Sequence, residues 1–424
     1  MKAAFYTLGC KVNIYETEYV INQFQKKGYK IVNFNKKADI YIINTCCVTN
    51  ISESKSRKVI RQAIRRNPQA IIVVMGCYSQ LKSNEIEQIN GVDIIIGTKD
   101  KSKILDYVEQ KNKLTKIYNL SNVPFEDMEI DQFITKTRAF VKIQDGCDSY
   151  CAYCIIPFTR GPIRSKRKEI VLKEVKKLVN NGYLEIVLTG IHTGKYGLDF
   201  TNYRLSNLLK DLTKIKELKR IRISSIEVTE IDDELLAILK NEKVIADHLH
   251  IPLQSGSDNL LKTMNRPYNT QYFFDKIDKI RTIRSDIAIT TDVIVGFPGE
   301  TNQDFLDTIK FIKKVNFSGL HVFPYSKKDG TKAALMLNQI DSETKKKRVK
   351  QLIEVGKELE LNYMNKFINK TVDVIIETSK DNYLIGHSSN YLQVKVIGPK
   401  NEINQLIKIK INKIEYPYCI GTKH

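Results

Sequence analysis

The chain has 424 residues, with 68 Lys and Arg against 48 Asp and Glu, a net charge of +20 and a pI near 9.3. It contains no apolar run of about 18 residues, and Met1 to Thr7 carry no cleavable-signal pattern, which argues against a membrane-spanning or secreted protein. We therefore expect a soluble cytoplasmic protein without a membrane partner. At roughly 150 residues per domain, the length predicts about three domains.

The basic charge favours a polyanionic partner, above all nucleic acid. The alternative explanation is an AT-biased coding sequence, since the chain is rich in Lys, Ile and Asn and has no Trp. Arg57, Arg61 and Arg65 are four residues apart and so share one face of a predicted helix, Ser52 to Arg66. That row either follows a phosphate backbone or is a solvated helix face.

The first third of the chain alternates short apolar runs with amphipathic segments. The apolar runs are Ala3 to Leu8, Ile40 to Asn44, Ala70 to Met75 and Val92 to Ile96, and the amphipathic segments are Glu16 to Lys27, Ser52 to Arg66 and Asn84 to Asn90. This alternation predicts an open parallel α/β sheet covered by helices, in a domain of residues 1–110. Residues 111–137 lack periodicity and are predicted to form a linker.

A cysteine follows each of the first three predicted strands: Cys10, Cys46 and Cys77. Because the carboxyl ends of parallel strands lie at one edge of a sheet, we expect these residues to meet there. A single cysteine at such a position would be interpreted as a small buried apolar residue. Three at equivalent positions predict a site of three thiolates, of the kind that holds an iron-sulfur cluster.

Three further cysteines, Cys147, Cys151 and Cys154, lie in the run CDSYCAYC. This spacing lets one loop bring three thiolates to an iron-sulfur cube and leave its fourth iron open for another ligand. The alternative is a structural zinc site, which normally takes four ligands in two close pairs. No second pair of cysteines lies nearby in the sequence, so the spacing favours the cluster.

Six strand-like runs separated by amphipathic segments lie between residues 139 and 326. They are Ala139 to Gln144, Glu185 to Leu188, Arg220 to Ser224, His248 to Leu253, Ile287 to Val295 and Gly319 to Pro324. This repetition predicts a barrel-type α/β domain, with its site at the carboxyl ends of the strands. Four motifs fall there: TGIHTGKYG from Thr189, SSIE from Ser224, PLQSGS from Pro252 and TDVIVGFPGET from Thr291.

Together with TLGCKVN, NTC and GCYSQ around the first three cysteines, these motifs resemble the radical S-adenosylmethionine (SAM) methylthiotransferases over essentially the whole chain. The resemblance implies a central partial (β/α)6 barrel within residues 138–367. It also implies two 4Fe-4S clusters, an auxiliary one on Cys10, Cys46 and Cys77 and a radical one on Cys147, Cys151 and Cys154. Cys47 stands where the family usually has a small residue without a thiol, which leaves open whether Cys46 alone is the ligand.

The resemblance further implies that the open iron of the radical cluster binds SAM. We expect Tyr153 to pack on its adenine, and the other candidate SAM contacts are Gly190, Glu227, Gln254 and Asp292. For Glu227 and Asp292 the alternative is a strand-end carboxylate that satisfies backbone donors. His192, in the glycine-rich loop, is interpreted as an ordinary loop residue rather than a general base.

The C-terminal part begins with a basic amphipathic helix, Thr344 to Phe367, and continues as short alternating strands. From Lys345 to His424 there are 15 Lys and Arg against 8 Asp and Glu. The strands predict a small all-β barrel over residues 368–424. Position and pattern resemble the TRAM module, which implies RNA binding, while a packing or oligomerisation module is the alternative.

The resemblance to this family therefore implies an enzyme that adds a methylthio group to C2 of a modified adenosine in a tRNA anticodon stem-loop. Residues Gly9 to Asn13 resemble the branch acting on N6-threonylcarbamoyladenosine. An electron donor and a sulfur source are further expected partners. The alternatives are isopentenyladenosine as substrate, an aspartate of a ribosomal protein as substrate, and a non-enzymatic iron-sulfur RNA-binding scaffold.

Overall fold

The computed structural model describes residues 1–133 and 137–424. The predicted linker 111–137 includes residues 134–136, which lie outside the described residues. Among the described residues, no helix combines the length and the apolar character needed to cross a membrane.

The N-terminal part is a parallel sheet of six strands with four helices. The strands are β1 (Lys2–Thr7), β2 (Lys30–Val32), β3 (Ile40–Thr45), β4 (Ile71–Gly76), β5 (Ile94–Ile96) and β6 (Leu114–Lys116), and the helices are α1 (Lys11–Lys26), α2 (Asn50–Arg66), α3 (Cys77–Glu87) and α4 (Ile104–Gln110). The spatial order is β2-β1-β3-β4-β5-β6. The predicted open parallel sheet is confirmed. The strands β2 and β6 were not predicted, because edge strands of three residues are too short to show a period.

Both faces of this sheet are covered. Ile40 and Ile42 of β3 point into one apolar layer with Phe24 of α1, whereas Tyr41 and Ile43 point into the other layer, which α2 closes. Strands buried on both faces read as continuous apolar runs, which is why these strands were visible in the sequence.

The central part contains six parallel strands arranged as an open barrel. The elements are β7 (Arg138–Lys142), β8 (Gln144–Asp145), α5 (Ile156–Arg160), β9 (Arg164–Ser165), α6 (Lys168–Asn180), β10 (Glu185–Thr189), α7 (Leu205–Leu212), β11 (Arg220–Ile223), α8 (Asp233–Asn241), β12 (His248–His250), α9 (Asp258–Thr263), α10 (Thr270–Ile283), β13 (Ala288–Val295), α11 (Asn302–Val315) and β14 (Gly319–Pro324). Strands β7, β10 and β11 form one parallel sheet and β12, β13 and β14 another. A parallel bridge between Ser225 and His250 joins them. The predicted partial barrel is confirmed.

Part of the predicted linker is packed against the folded domains. Besides β6, it supplies Met128, Ile130 and Phe133, which are buried in the core of the open barrel. The sequence did not show this, because single apolar residues among charges have no periodicity although each can fill a gap between two domains.

The C-terminal part consists of one long helix and a closed five-stranded barrel. The elements are α12 (Ser342–Asn365), β15 (Thr371–Lys380), β16 (Tyr383–Ser388), β17 (Gln393–Ile397), β18 (Leu406–Glu415) and β19 (Tyr418–Lys423). The barrel order is β15-β16-β17-β19-β18. Tyr363 and Met364 at the end of α12 pack into the barrel core, where Cys419 is also fully buried. The predicted small β domain is confirmed.

The small barrel docks on the open barrel through buried guanidinium groups. Arg220 and Arg222 of β11 pair with Glu185 of β10 at 3.0 and 2.8 Å. The same guanidinium groups donate to carbonyl oxygens of the small barrel, Arg220 to Asp373 at 3.0 Å and Arg222 to Ser388 at 3.2 Å. These two arginines are therefore structural links between the domains, and their charge is already paired.

Candidate functional site

The sheet edge brings the first three predicted cysteines together. Cys10 caps the start of α1, Cys46 directly follows β3, and Cys77 begins α3 directly after β4. Cys46 interacts electrostatically with both Cys77 and Cys10, and burial raises the pKa of Cys46 to about 11. Gly9 lies against Cys46: its φ is +100°, and a Cβ there would stand 3.1 Å from the Cys46 Cβ. A side chain at position 9 would therefore obstruct the cysteine site.

Cys47 takes a different position from Cys46. Its side chain is fully buried in the apolar layer beside α2. Its thiol is hydrogen-bonded to Cys77, and this bond raises the pKa of Cys47 while lowering that of Cys77. The Cys46 side chain lies against Gly9, the residue before Cys10, whereas Cys47 lies in the apolar layer beside Cys77. The geometry therefore favours Cys46 as the third ligand.

Arg160, at the end of α5, reaches this site from the open barrel. Its Nε donates to the Sγ of Cys77 at 3.3 Å, and its side chain is fully buried. After the hydrogen bond from Cys47, the charge of Arg160 also lowers the pKa of Cys77. A buried cation at a sulfur stabilises a thiolate, the form that binds metal.

Arg160 belongs to a buried cluster of charges between the two domains. Its Nη1 pairs with Glu16 of α1 at 2.5 Å and with Asp145 of β8 at 3.4 Å. Lys101 and Lys142 each pair with Glu16 at 2.9 Å. With Arg164, which lies 3.8 Å from Asp145, four cations face two carboxylates, so positive charge is in excess beside the cysteine site. Buried charge needs compensation, and thiolates at this site would supply it.

The second cysteine loop is held by backbone hydrogen bonds to neighbouring segments. Cys147 N donates to Gly161 O, and Ala152 N donates to Met264 O, both at 2.9 Å. The Ala152 carbonyl accepts from Ala333 N at 2.8 Å. The loop that carries the three sulfurs is therefore fixed at the barrel mouth on both sides.

Two basic side chains lie at sulfurs of this loop. Arg266 Nη1 donates to the Sγ of Cys151 at 3.1 Å, and Arg266 also pairs with Glu227. His192 Nδ1 lies 3.3 Å from the Sγ of Cys147. Burial alone would raise the pKa of Cys147, but the hydrogen bond with His192 lowers it. His192 therefore contacts a predicted ligand. Its position in a glycine-rich loop did not predict this contact.

The structure places the predicted SAM contacts around the two sites. Tyr153, which lies between Cys151 and Cys154 in the sequence, is half-buried and packs against an apolar cluster. Gln254 has a left-handed φ of +67°, and its backbone N donates to the carbonyl of Asp292 at 2.8 Å. The Asp292 carboxylate contacts His250 and His321 at 3.3 and 3.2 Å; burial would raise its pKa, but these hydrogen bonds hold it well below the usual range.

A cavity of about 790 Å³ lies between the N-terminal sheet, the open barrel and the small barrel. Cys10 and Lys11 line it from the sheet, Gly190 and Asp292 from the open barrel, and Tyr391 from the small barrel. Glu227 and Gln254 lie outside its lining. The cavity therefore joins the first cysteine site to the strand ends of the open barrel.

The spacing of the cysteines bears on the zinc alternative. In the described part of the chain, the His, Cys, Asp and Glu side chains that bring three ligand atoms within 4.8 Å of one another are His250, Asp292 and His321. Neither cysteine triad is that compact, whereas Zn–S bonds of about 2.3 Å would hold the sulfurs roughly 3.8 Å apart. The wider arrangement, with basic groups at the sulfurs, fits an anionic cluster better than a single ion.

Comparisons with known proteins agree with this geometry. Residues 2–97 match the model of Uncharacterized protein family UPF0004, and residues 141–312 match that of the Radical SAM superfamily. A solved radical SAM methyltransferase, TsrM from Kitasatospora setae, superposes with a TM-score of 0.56 at 12% identity, covering 76% of this chain and 74% of that one. The open barrel and its cysteine loop are therefore those of a radical SAM enzyme, a class that uses SAM and 4Fe-4S clusters.

Relatives are similar over the full length. The chain is 46% identical to the Threonylcarbamoyladenosine tRNA methylthiotransferase MtaB of Bacillus subtilis, covering 99% of this chain and 95% of that protein. The corresponding protein of Aquifex aeolicus is 38% identical, with 97% and 100% covered. A tRNA-2-methylthio-N(6)-dimethylallyladenosine synthase of Clostridium botulinum is 35% identical, with 96% and 93% covered. The chain belongs to the radical SAM methylthiotransferase family.

Proposed function

We propose that this enzyme is a tRNA methylthiotransferase that converts N6-threonylcarbamoyladenosine beside the anticodon into its 2-methylthio derivative. The observation that carries the proposal is the shared cavity, which Cys10 lines from one side and the strand ends of the open barrel from the other. An enzyme that joins a sulfur source to a carbon radical needs its sulfur site and its SAM-binding strand ends, here Gly190 and Asp292, to open onto one substrate. The relatives at 37–46% identity named for threonylcarbamoyladenosine support this choice of base.

In this proposal each cysteine triad holds one 4Fe-4S cluster. Cys147, Cys151 and Cys154 hold the radical cluster, and the auxiliary triad consists of Cys10, Cys46 and Cys77. When bound, SAM and the two clusters supply the radical that removes hydrogen from C2 and the sulfur and methyl group that replace it. The protein places Arg160 at the sulfur of Cys77, His192 at that of Cys147 and Arg266 at that of Cys151, and it encloses the reacting base away from water.

We assign SAM binding to residues around the radical site. Tyr153 would pack on the adenine, and Gly190, Glu227, Gln254 and Asp292 would contact other parts of SAM. Gly190 suits a close backbone approach, because a Cβ there would already stand 2.9 Å from the Gln144 Oε1. Arg266 holds Glu227 in place by an ion pair.

The cavity also suits an unstacked base. Tyr391 enters it from the small barrel with a φ of +66°, a conformation that a bulky residue rarely adopts. Its ring stacks on His387 at 4.9 Å and on His248 at 4.7 Å. RNA-binding proteins bind splayed-out bases by stacking them on aromatic rings, so we place the target adenine near this stack.

The proposed domains are residues 1–110 for the auxiliary site, 111–137 as a connector, 138–367 for the radical SAM barrel with its basic helix, and 368–424 for TRAM-like RNA binding. Of the predicted arginine row, Arg57 donates to the Tyr78 hydroxyl at 2.9 Å, while Arg61 and Arg65 are exposed and available to phosphates. A tRNA substrate implies action in the cytoplasm, with an electron donor and a sulfur source as further partners.

Mass spectrometry of tRNA nucleosides from cells with and without the gene tests the proposal. We expect the 2-methylthio derivative of threonylcarbamoyladenosine to disappear when the gene is deleted and the unthiolated nucleoside to accumulate. If the 2-methylthio derivative of dimethylallyladenosine disappeared instead, dimethylallyladenosine would be the tRNA substrate. An unchanged nucleoside profile would reject both, and a search for a methylthio mass shift on ribosomal-protein aspartate would follow.

A further inference from the structure

Lys11 is a cation without a partner in the cavity. It follows Cys10 directly, and its exposed side chain lines the cavity wall. Among the described residues, it makes neither a hydrogen bond nor an ion pair. The cavity is lined by two carboxylates, and both are engaged elsewhere: Asp292 by two histidines and Glu360 by the hydroxyl of Tyr416.

The other basic side chains that line the cavity have polar or anionic partners. Arg222 pairs with Glu185, and His387 Nδ1 lies 2.8 Å from a carboxylate oxygen of Glu377. His248 contacts the Thr290 hydroxyl at 3.0 Å, and His250 and His321 contact Asp292. Within the described lining, Lys11 therefore differs from its neighbours in having its charge available to a ligand.

The position of Lys11 is unfavourable for a cation in the absence of a ligand. Lys11 is the first residue of α1, and the first turn of that helix has no acidic residue. A positive charge at a helix start opposes the helix dipole. An anion bound in the cavity would offset this cost.

The chemistry of the base indicates which anion this is. C2 and N6 of adenine lie on the same edge of the ring, on either side of N1. A base that turns C2 towards Cys10 therefore presents its N6 substituent on the same side, next to the residue that follows Cys10. The phosphates lie beyond the ribose, on the far side of the base. A threonylcarbamoyl substituent carries a carboxylate, whereas a dimethylallyl substituent carries no charge.

We propose that the Lys11 ammonium binds the carboxylate of the amino-acid substituent at N6 and thereby selects this base over bases with apolar substituents. The inference rests on the proposed function and assigns one contact within it. A charged hydrogen bond of this kind in a partly enclosed site is strong enough to decide between substrates.

The test compares two anticodon stem-loop RNAs, one with N6-threonylcarbamoyladenosine and one with the methyl ester of the same nucleoside. Methylthio product is measured by mass spectrometry with the reconstituted wild-type enzyme and with Lys11→Met, Lys11→Gln and Lys11→Arg. We expect Lys11→Met and Lys11→Gln to lower kcat/KM for the acid by about 10- to 100-fold and to leave the ester nearly unchanged. Lys11→Arg should retain most of the preference for the acid.

Lys30→Met is the matched control, because Lys30 is an exposed lysine at the amino end of edge strand β2, away from the cysteine edge. It should behave like the wild type with both RNAs. The acid-to-ester ratio within each variant is independent of how much enzyme is active, so partial loss of iron in one variant does not blur the result.

Two results would overturn the inference. Undiminished activity of Lys11→Met on the acid would show that the ammonium is not needed. An equal loss on acid and ester would assign Lys11 to a phosphate or to the protein itself. If the wild-type enzyme, with intact SAM cleavage, modified neither RNA, the proposed function would fail first and the inference with it.

Discussion

Arg160 Nε lies 3.3 Å from the Sγ of Cys77, and this contact joins the two cysteine sites of the molecule. Arg160 ends α5, the short helix that directly follows the loop of Cys147 to Cys154, while Cys77 begins α3 in the N-terminal sheet. A displacement of the radical SAM loop would therefore move a charge at the auxiliary site. The same guanidinium binds Glu16 and Asn13 of α1, so one side chain sets the spacing between the two domains.

Arg160→Met should destabilise the protein and disturb the auxiliary site. It removes the hydrogen bonds that Glu16, Asn13 and Cys77 accept from a fully buried guanidinium, and a buried polar group left without its partner costs about 1–3 kcal/mol. We expect a lower urea midpoint and fewer iron atoms per chain after reconstitution. Arg61→Met, which removes an exposed charge from α2, is the control and should match the wild type. A normal midpoint in Arg160→Met would contradict the role given to the charge cluster.

Removing a cysteine from each of the two triads should abolish a different activity. Cys151→Ala removes a predicted ligand of the radical site and should abolish the formation of 5′-deoxyadenosine from SAM. Cys77→Ala should retain SAM cleavage but produce no thiolated RNA, because only the auxiliary site loses a ligand. Chromatography of SAM products and nucleoside mass spectrometry separate the two activities. Thiolation by Cys77→Ala would show that the auxiliary assignment is wrong.

Cys46 and Cys47 should differ in iron content. The Cys46 side chain lies against Gly9, next to Cys10, whereas Cys47 is fully buried in the apolar layer beside Cys77. We therefore expect Cys46→Ala to lose about half of the iron of an enzyme reconstituted with two clusters. Cys47→Ala should keep nearly all of it and show a modest loss of thermal stability from the small cavity. If Cys47→Ala lost half of the iron and Cys46→Ala kept it, Cys47 would be the ligand and Cys46 would not.

Glu185 should anchor the small barrel in a pH-dependent way. Burial would raise its pKa, but Arg222 and Arg220 lower it to about 2. A carboxyl group with a depressed pKa stabilises the folded state above its unfolded pKa of about 4.3, and this contribution disappears as the pH falls towards 2. Glu185→Gln should therefore lower the melting temperature at pH 7 and reduce its decline between about pH 5 and pH 2.

Limited proteolysis tests the same contact by a second route. Glu185→Gln leaves the charges of Arg220 and Arg222 uncompensated where the small barrel docks, so cleavage between α12 and β15 should become faster. Glu217→Gln, an exposed change outside this contact, is the control. Equal cleavage of both variants would mean that the apolar contacts of α12 hold the small barrel without this charge pair.

Most element types and the fold class could be predicted from the sequence, which also singled out the six cysteines that we propose as cluster ligands. Strands such as β3 and β4 are continuous apolar runs because both of their faces are buried, and a cysteine follows each of these strands directly. Local pattern and spacing carry this information, so no knowledge of distant contacts was needed. The same reasoning failed for β2 and β6, which are three residues long.

The pairing of the charges and the placement of the two adjacent thiols are visible only in the folded protein. Arg160 and Glu16 are 144 residues apart in the chain, and Lys142 and Glu16 are 126 apart, so no periodicity connects them. Cys46 and Cys47 have the same side chain and differ only in the direction that the backbone gives each. Lys11 likewise looks like any surface lysine until three domains enclose it in one cavity. Pairing and burial depend on which segments meet, and that information exists only once the chain has folded.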